Sequence, residues 1–136
     1  MVLSQNVSWN KIESLVGKLS ESILELPRSF SSITTLSRGG LVPSRLLSDA
    51  LGIKTIFVDQ KTISSDSLFV DDIFDTGKSF ENVCSHVDDP SNFIFATLFI
   101  RRGMNCPKQL IYAEETIDAS YVVFPWDKFE FQKNLN

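Results

Sequence analysis

The stretch Asn92 to Ile100 is apolar in character and carries no charge, and no other feature of the chain constrains its fold as strongly. A strand with one wet face alternates apolar and polar residues. A run without that alternation has to be covered on both faces. In a parallel sheet, crossover helices supply the cover. The flanking sequence offers such helices. Ile12, Leu15, Val16, Leu19, Ile23 and Leu24 recur at helical spacing, predicting an amphipathic helix over Trp9 to Leu26, capped by Ser8 and ended by Pro27. Ser32 to Leu36 reads as a strand and Ser37-Arg38-Gly39-Gly40 as a glycine turn. Val42 to Leu51 reads as a helix with Pro43 in its first turn and Gly52 as its stop. Strands are expected at Lys54 to Val58 and Ser67 to Val70, a helix at Thr76 to Val87, and a turn at Asp88-Asp89-Pro90. Short strands follow around Leu110 and over Tyr121 to Phe124. Residues 59–66 and 101–110 read as loops, and the chain ends in an acidic, aromatic tail. The expected class is α/β: a central, mainly parallel sheet flanked by helices, with residues 1–136 forming one domain.

Composition narrows the partners. The formal net charge is −4, so a general nucleic-acid backbone binder is not expected, and any phosphate must be held by local geometry. Hydrophobic residues make up 43% of the chain, enough for a real core. The apolar runs are too short to span a bilayer. Met1 to Asn6 has no basic region followed by an apolar stretch, so no signal peptide is expected. Cys84 and Cys106 have neither metal spacing nor a partner framework, which suits two free thiols in a reducing cytoplasm.

The chemistry concentrates in Leu68-Phe69-Val70-Asp71-Asp72-Ile73-Phe74-Asp75-Thr76-Gly77-Lys78-Ser79. An apolar strand delivers two carboxylates to its end, and a third follows three residues later. A hydroxyl-rich turn with one glycine then opens a helix. Free N–H groups at a helix start favour an anion. Carboxylates beside a phosphate site suit sugar hydroxyls or a hard metal such as Mg²⁺. A phosphorylated ribose combines all three needs. Taken one at a time, Asp71 and Asp72 read as turn acids and Asp75 as a helix cap. The whole string exceeds what one turn requires. Gly77-Lys78-Ser79 also looks like the end of a P-loop, but that motif needs glycine five positions before Gly77, where Asp72 stands. In the turn at 37–40, two glycines permit unusual backbone and Arg38 can grip a phosphate with its planar fork. By itself that turn reads as an ordinary glycine turn with a surface arginine.

The string at 68–79 resembles the phosphoribosyl pyrophosphate motif of type I phosphoribosyltransferases. Ser-Arg-Gly-Gly-Leu-Val-Pro at 37–43 and Leu51-Gly52-Ile53 look like the xanthine-guanine members of bacteria. So do Val7-Ser8-Trp9, Phe95 to Phe99 and Tyr121 to Asp127, and the similarity runs along nearly the whole chain. The resemblance implies the type I phosphoribosyltransferase fold and Mg²⁺-dependent transfer of 5-phosphoribosyl from phosphoribosyl pyrophosphate to a 6-oxopurine, releasing pyrophosphate. It implies Asp71 and Asp72 as ribose acids, with Asp72 also facing the metal, and Asp75 as proton acceptor. Asp75, Thr76, Gly77, Lys78 and Ser79 would cradle the 5-phosphate. Ser37, Arg38 and Gly39 would meet the pyrophosphate, with Lys61 as the loop cation. Arg101 stands where the family has a lysine that donates to the purine 6-oxo group, and Tyr121 where a tryptophan stacks on the base. Val122 and Asp127 match positions whose backbone meets the 2-substituent. Trp126 is expected to pack in the core. Family members are homo-oligomers, usually dimers or tetramers. In the family a long flexible loop covers the site; here only residues 59–66 fill that gap. The short loop keeps a second class open, a non-catalytic or regulatory protein binding phosphoribosyl pyrophosphate or a nucleotide. Another nucleobase as substrate is a third reading.

Overall fold

The computed structural model describes residues 3–134, so the expectation at Met1 and Val2 lies outside the described residues. The elements run β1 (Ser4–Asn6), α1 (Trp9–Leu24), β2 (Ser32–Thr35), α2 (Leu41–Leu51), β3 (Thr55–Val58), β4 (Leu68–Phe74), α3 (Lys78–Cys84), β5 (Phe95–Ile100), β6 (Leu110–Glu115), β7 (Tyr121–Val123) and α4 (Lys128–Asn134). Five strands form one sheet in the order β3-β2-β4-β5-β6. Every pairing in it is parallel, with Asp71 opposite Thr97 and Ile73 opposite Phe99. All six residues of β5 are buried, as its unbroken apolar run requires.

Local chemistry explains the helix limits. The Ser8 hydroxyl accepts from the Lys11 amide at 3.1 Å and starts α1. Helix α2 stops on Gly52, which takes φ 72. One face of the sheet meets α1 and α2 through Ile12, Leu15, Leu19, Ile33, Leu47, Val70 and Leu98. A second cluster gathers Phe69, Phe74, Val83, Phe93 and Phe95 with Ile63 and Val87.

Several sequence expectations shift. Helix α1 ends at Leu24, before the expected Leu26, although Leu26 still packs against the core. β4 continues to Phe74, past the expected Val70, because neighbouring β5 is long enough to pair with Asp71, Ile73 and Phe74. The acidic pair therefore stands inside a strand. Helix α3 covers only Lys78–Cys84, since Gly77 at φ 87 precedes it and Ser85 closes it. The tail folds into a 3-10 turn, Pro125–Asp127, followed by α4. β1 pairs in parallel with β7, matching Gln5 to Val122.

Residues 59–66 do not hang free. Ile63 is buried and its amide donates to the His86 carbonyl at 2.9 Å, while the Ser65 amide donates to Asp88 at 2.9 Å. The segment is tied to the end of α3. Among the described residues, no helix is long and apolar enough to cross a membrane.

Candidate active site

At the carboxyl ends of β2 and β4 lies a cleft of about 320 Å³ lined by Ser37, Gly39, Asp71, Asp72, Asp75 and Thr76, with Gly77 and Ser79 beside them. This is where a parallel sheet leaves room for a ligand. The two separate sequence motifs thus share one cavity.

The glycine turn is held from below. Gly40 packs so closely that a Cβ there would stand 1.9 Å from Thr35 Oγ1 and 2.7 Å from the Val70 carbonyl oxygen. The Thr35 hydroxyl donates to that same carbonyl at 2.7 Å, linking β2 to β4 beneath the turn. A Cβ on Gly39 would stand 2.9 Å from Asp72 Oδ2, so backbone and carboxylate meet face to face. Ser37 is anchored by Asp59, whose carboxylate accepts from the Ser37 amide at 2.8 Å and its hydroxyl at 2.6 Å. Those two bonds, the hydroxyl first, hold the Asp59 carboxyl below the usual carboxylate range. The Ser37–Arg38 peptide is cis.

Asp71 and Asp72 are partly buried neighbours. The Asp71 carboxylate accepts from the Asp72 amide and the Asp72 carboxylate from the Ile73 amide, each at 2.8 Å. Burial, reinforced by the charge of Asp71, pushes the Asp72 carboxyl up to about 8. Burial also raises Asp71, with the bonds from Asp72 opposing it. Two acids packed side by side make the cleft receptive to cations and hydroxyl donors. Among the described residues, no three His, Cys, Asp or Glu converge to cage a metal by themselves. An oxygen-only pair of this kind fits Mg²⁺, which keeps several outside ligands and needs one or two carboxylates.

Asp75 follows β4 and forms a two-pronged ion pair with Arg101, Nε to Oδ1 at 3.0 Å and Nη2 to Oδ2 at 3.4 Å. Arg101 Nη1 reaches across to the carbonyls of Asp118 at 3.0 Å and Ser120 at 2.8 Å. Arg101 therefore joins the cleft only through Asp75, which lines it, and is already engaged on both sides.

Tyr121 is exposed and stacks on Phe131 of α4, ring centres 5.5 Å apart at 14°. Arg38 pairs with Glu130 of the same helix at 2.9 Å. Burial raises the Asp127 carboxyl, and the negative charges of Asp72 and Glu130 add to that rise, so these acids share one neighbourhood. Val122 is buried in the core, and its strand is paired with β1. Trp126 lies parallel to Phe124 at 4.8 Å, in keeping with its expected packing role.

Lys61 is not brought to the cleft. It borders a separate hollow with Asp59, Asn82 and His86, because the loop is tied down toward α3. Lys78 does not line the cleft either, although Gly77 and Ser79 do. Sequence reasoning missed four residues: Asp59 under Ser37, Glu130 on Arg38, Phe131 on Tyr121, and Gln5. The Gln5 amide donates to the Ser120 carbonyl at 3.1 Å. Of these, only Asp59 carried a local signal, as an acid directly after an apolar strand.

No family model matches the chain. It is 28% identical, over 140 aligned positions, to a xanthine-guanine phosphoribosyltransferase of Chromohalobacter salexigens, covering 89% of this chain and 82% of that one. The fold is similar to that of a purine phosphoribosyltransferase from Pyrococcus horikoshii, with TM-score 0.73, 24% identity and coverage of 90% and 93%. It is also similar to the xanthine-guanine-hypoxanthine phosphoribosyltransferase of Helicobacter pylori, with TM-score 0.76, 17% identity and coverage of 98% and 99%. Adenine phosphoribosyltransferases are among the other similar structures. The chain thus has the type I phosphoribosyltransferase fold, and its likeness in sequence is to a xanthine-guanine phosphoribosyltransferase.

Proposed function

We propose that the chain transfers a 5-phosphoribosyl group from phosphoribosyl pyrophosphate to a 6-oxopurine. The observation that carries this reading is the single cleft in which the Gly39 backbone faces Asp72, beside Asp71, while Asp75, Thr76, Gly77 and Ser79 line the same cavity. In this reading Asp71 and Asp72 hold the ribose hydroxyls, and Asp72 with its neighbour holds Mg²⁺. The metal would supply charge neutralisation on the leaving group. Ser37, Arg38 and the Gly39 amide bind the pyrophosphate and draw off its developing charge. Thr76, Gly77 and Ser79 receive the 5-phosphate, with Lys78 between them in the chain. The C1–oxygen bond breaks with its electron pair on pyrophosphate, the purine nitrogen bonds C1, and Asp75 accepts the nitrogen's proton. Tyr121 stacks on the base and the backbone at Val122 and Asp127 meets its edge. Residues 1–136 act as one domain, and assembly into a homo-oligomer in the cytoplasm belongs to the same proposal.

The test is a panel of guanine, xanthine, hypoxanthine and adenine with phosphoribosyl pyrophosphate and Mg²⁺, read as nucleotide formed. A 6-oxopurine is expected to react best, and Asp75→Ala to lower turnover about 100-fold, the scale of a lost general base. No nucleotide from any base, or an unchanged Asp75→Ala, defeats the reading.

A specific observation favours the second reading, a protein that binds without turnover. Glu130 occupies the fork of Arg38 and Phe131 covers Tyr121, so α4 engages two groups expected to meet ligand. The Arg38–Glu130 pair is exposed and weak. Glu130→Gln is therefore expected to tighten pyrophosphate binding about two- to fourfold by calorimetry, consistent with a surface ion pair. Weaker binding in that variant shows that Glu130 assists the ligand. Calorimetric binding of phosphoribosyl pyrophosphate together with an inactive base panel selects the non-catalytic reading.

A further inference from the structure

The guanidinium of Arg101 is nearly used up before any ligand arrives. Its Nε and one Nη2 hydrogen go to Asp75, and both Nη1 hydrogens go to the Asp118 and Ser120 carbonyls. Arginine has five N–H donors, so a single Nη2 hydrogen is left. The side chain is only 14% exposed, in contrast to the open Arg38–Glu130 pair. Its backbone is fixed as well, with the Arg101 amide donating to the Phe74 carbonyl at 2.8 Å. The two ends it joins matter. Asp75 directly follows β4, and Ser120 directly precedes Tyr121. Gln5 holds the Ser120 carbonyl from the other side, at 3.1 Å, so this carbonyl accepts two bonds.

We infer that Arg101 is a positioning residue, which aims the Asp75 carboxylate and sets the Tyr121 segment against it, and is not the group that reads the purine 6-substituent. This rests on the reading of Asp75 as proton acceptor given above. The physical argument is one of geometry. A planar fork can hold a carboxylate on one edge and two carbonyls on the other at once. A lysine has three hydrogens on one nitrogen and cannot span both sides. If Arg101 only donated to the base, as the lysine of the resembled family is expected to do, then lysine would serve in its place. If Arg101 is a clamp, lysine fails.

Arg101→Lys, Asp75→Asn and the double variant separate these cases in full-length protein. For Arg101→Lys, kcat is expected to fall about tenfold to thirtyfold, with KM for the base held within about threefold. The same change made on Asp75→Asn is expected to lower kcat by less than about threefold, because the carboxylate it aims is gone. A purely structural arginine would not produce that non-additivity in kcat. Retained kcat in Arg101→Lys overturns the inference. So does a tenfold rise in KM at unchanged kcat, which marks a group that reads the base. If Arg101→Lys unfolds at assay temperature, Arg101→Ala with added guanidinium replaces it, and recovery of kcat by guanidinium but not by methylammonium supports the clamp. Failure of both to restore it overturns the clamp. A wild type that makes no nucleotide from any base defeats the functional reading instead. In that event the thermal midpoints of the same four proteins still test the clamp. Losses that fail to add support it, and losses that add overturn it.

Discussion

Asp72→Asn is expected to stabilise the protein while removing its activity. The cleft holds two carboxyls side by side, and burial with the Asp71 charge pushes Asp72 up to about 8 from 3.8. Below about pH 4 the group carries its proton in both folded and unfolded chains, so it does not affect stability there. Between about pH 4 and about pH 8 the folded chain holds a proton that the unfolded chain has released. Stability therefore falls as pH rises through that window, and the loss is complete above it. Asparagine keeps the shape and removes the ionisation. The gain in unfolding free energy should be near zero at the acid end and reach about 2 kcal/mol at the alkaline end, read by urea titration at several pH values. Turnover should drop about 1000-fold, because asparagine cannot give up a proton to become the carboxylate that would hold the metal and the ribose. A variant that is less stable near neutral pH, or that still turns over, would contradict the placement of Asp72 as a destabilised working group. Such a trade of stability for function is a common mark of active sites.

Among the glycines, Gly40 is expected to tolerate an added methyl least. The added Cβ would meet Thr35 Oγ1 at 1.9 Å and the Val70 carbonyl oxygen at 2.7 Å, and the second is backbone that cannot turn aside. Relief requires the start of α2 to lift away from β2 and β4, and the Thr35–Val70 bond would break with it. A loss of about 3–4 kcal/mol is expected in chemical denaturation, within the range of severe overpacking. Any protein that remains folded should bind pyrophosphate poorly, because Gly39 and Arg38 move with the turn. Gly17 is the internal control. A Cβ there meets nothing within 4 Å, and the position is mid-helix, so Gly17→Ala should stabilise by about 0.5–1 kcal/mol. Equal behaviour of the two alanines would refute the steric argument.

Much of this was legible in the chain itself. The uncharged run ending at Ile100 demanded a covered strand, and β5 is buried at every position. The string from Asp71 to Ser79 was readable as ligand-facing because it packs its unusual residues into a few consecutive positions, whereas the turn at 37–40 gained that reading only beside it. Such local signals survive without knowledge of the fold. They also sufficed to place Ser8 and Gly52 as helix ends, where the deciding hydrogen bonds span only a few residues.

Other features depended on residues far apart in sequence. The length of β4 was set by its neighbour β5, so the acidic pair became part of a strand. β1 has three residues and gains its identity from β7, more than a hundred positions later. The place of Lys61, the loop cation, follows from Ile63, whose backbone ties the segment to the chain just after α3. The partners of Arg101 depend on distant residues as well. By sequence alone it opens a loop and stands where the resembled family has a lysine that donates to the purine. In the fold it joins Asp75 to the carbonyls before Tyr121, and the tail places Glu130 on Arg38 and Phe131 on Tyr121. The sequence by itself determined the strand-and-helix alternation and the crowding of acids, glycines and hydroxyls into the two motifs, since hydrophobic period and local residue type act over short range. Only the tertiary structure decided which donors and acceptors were already taken, because a side chain's partners are set by what the chain brings back beside it.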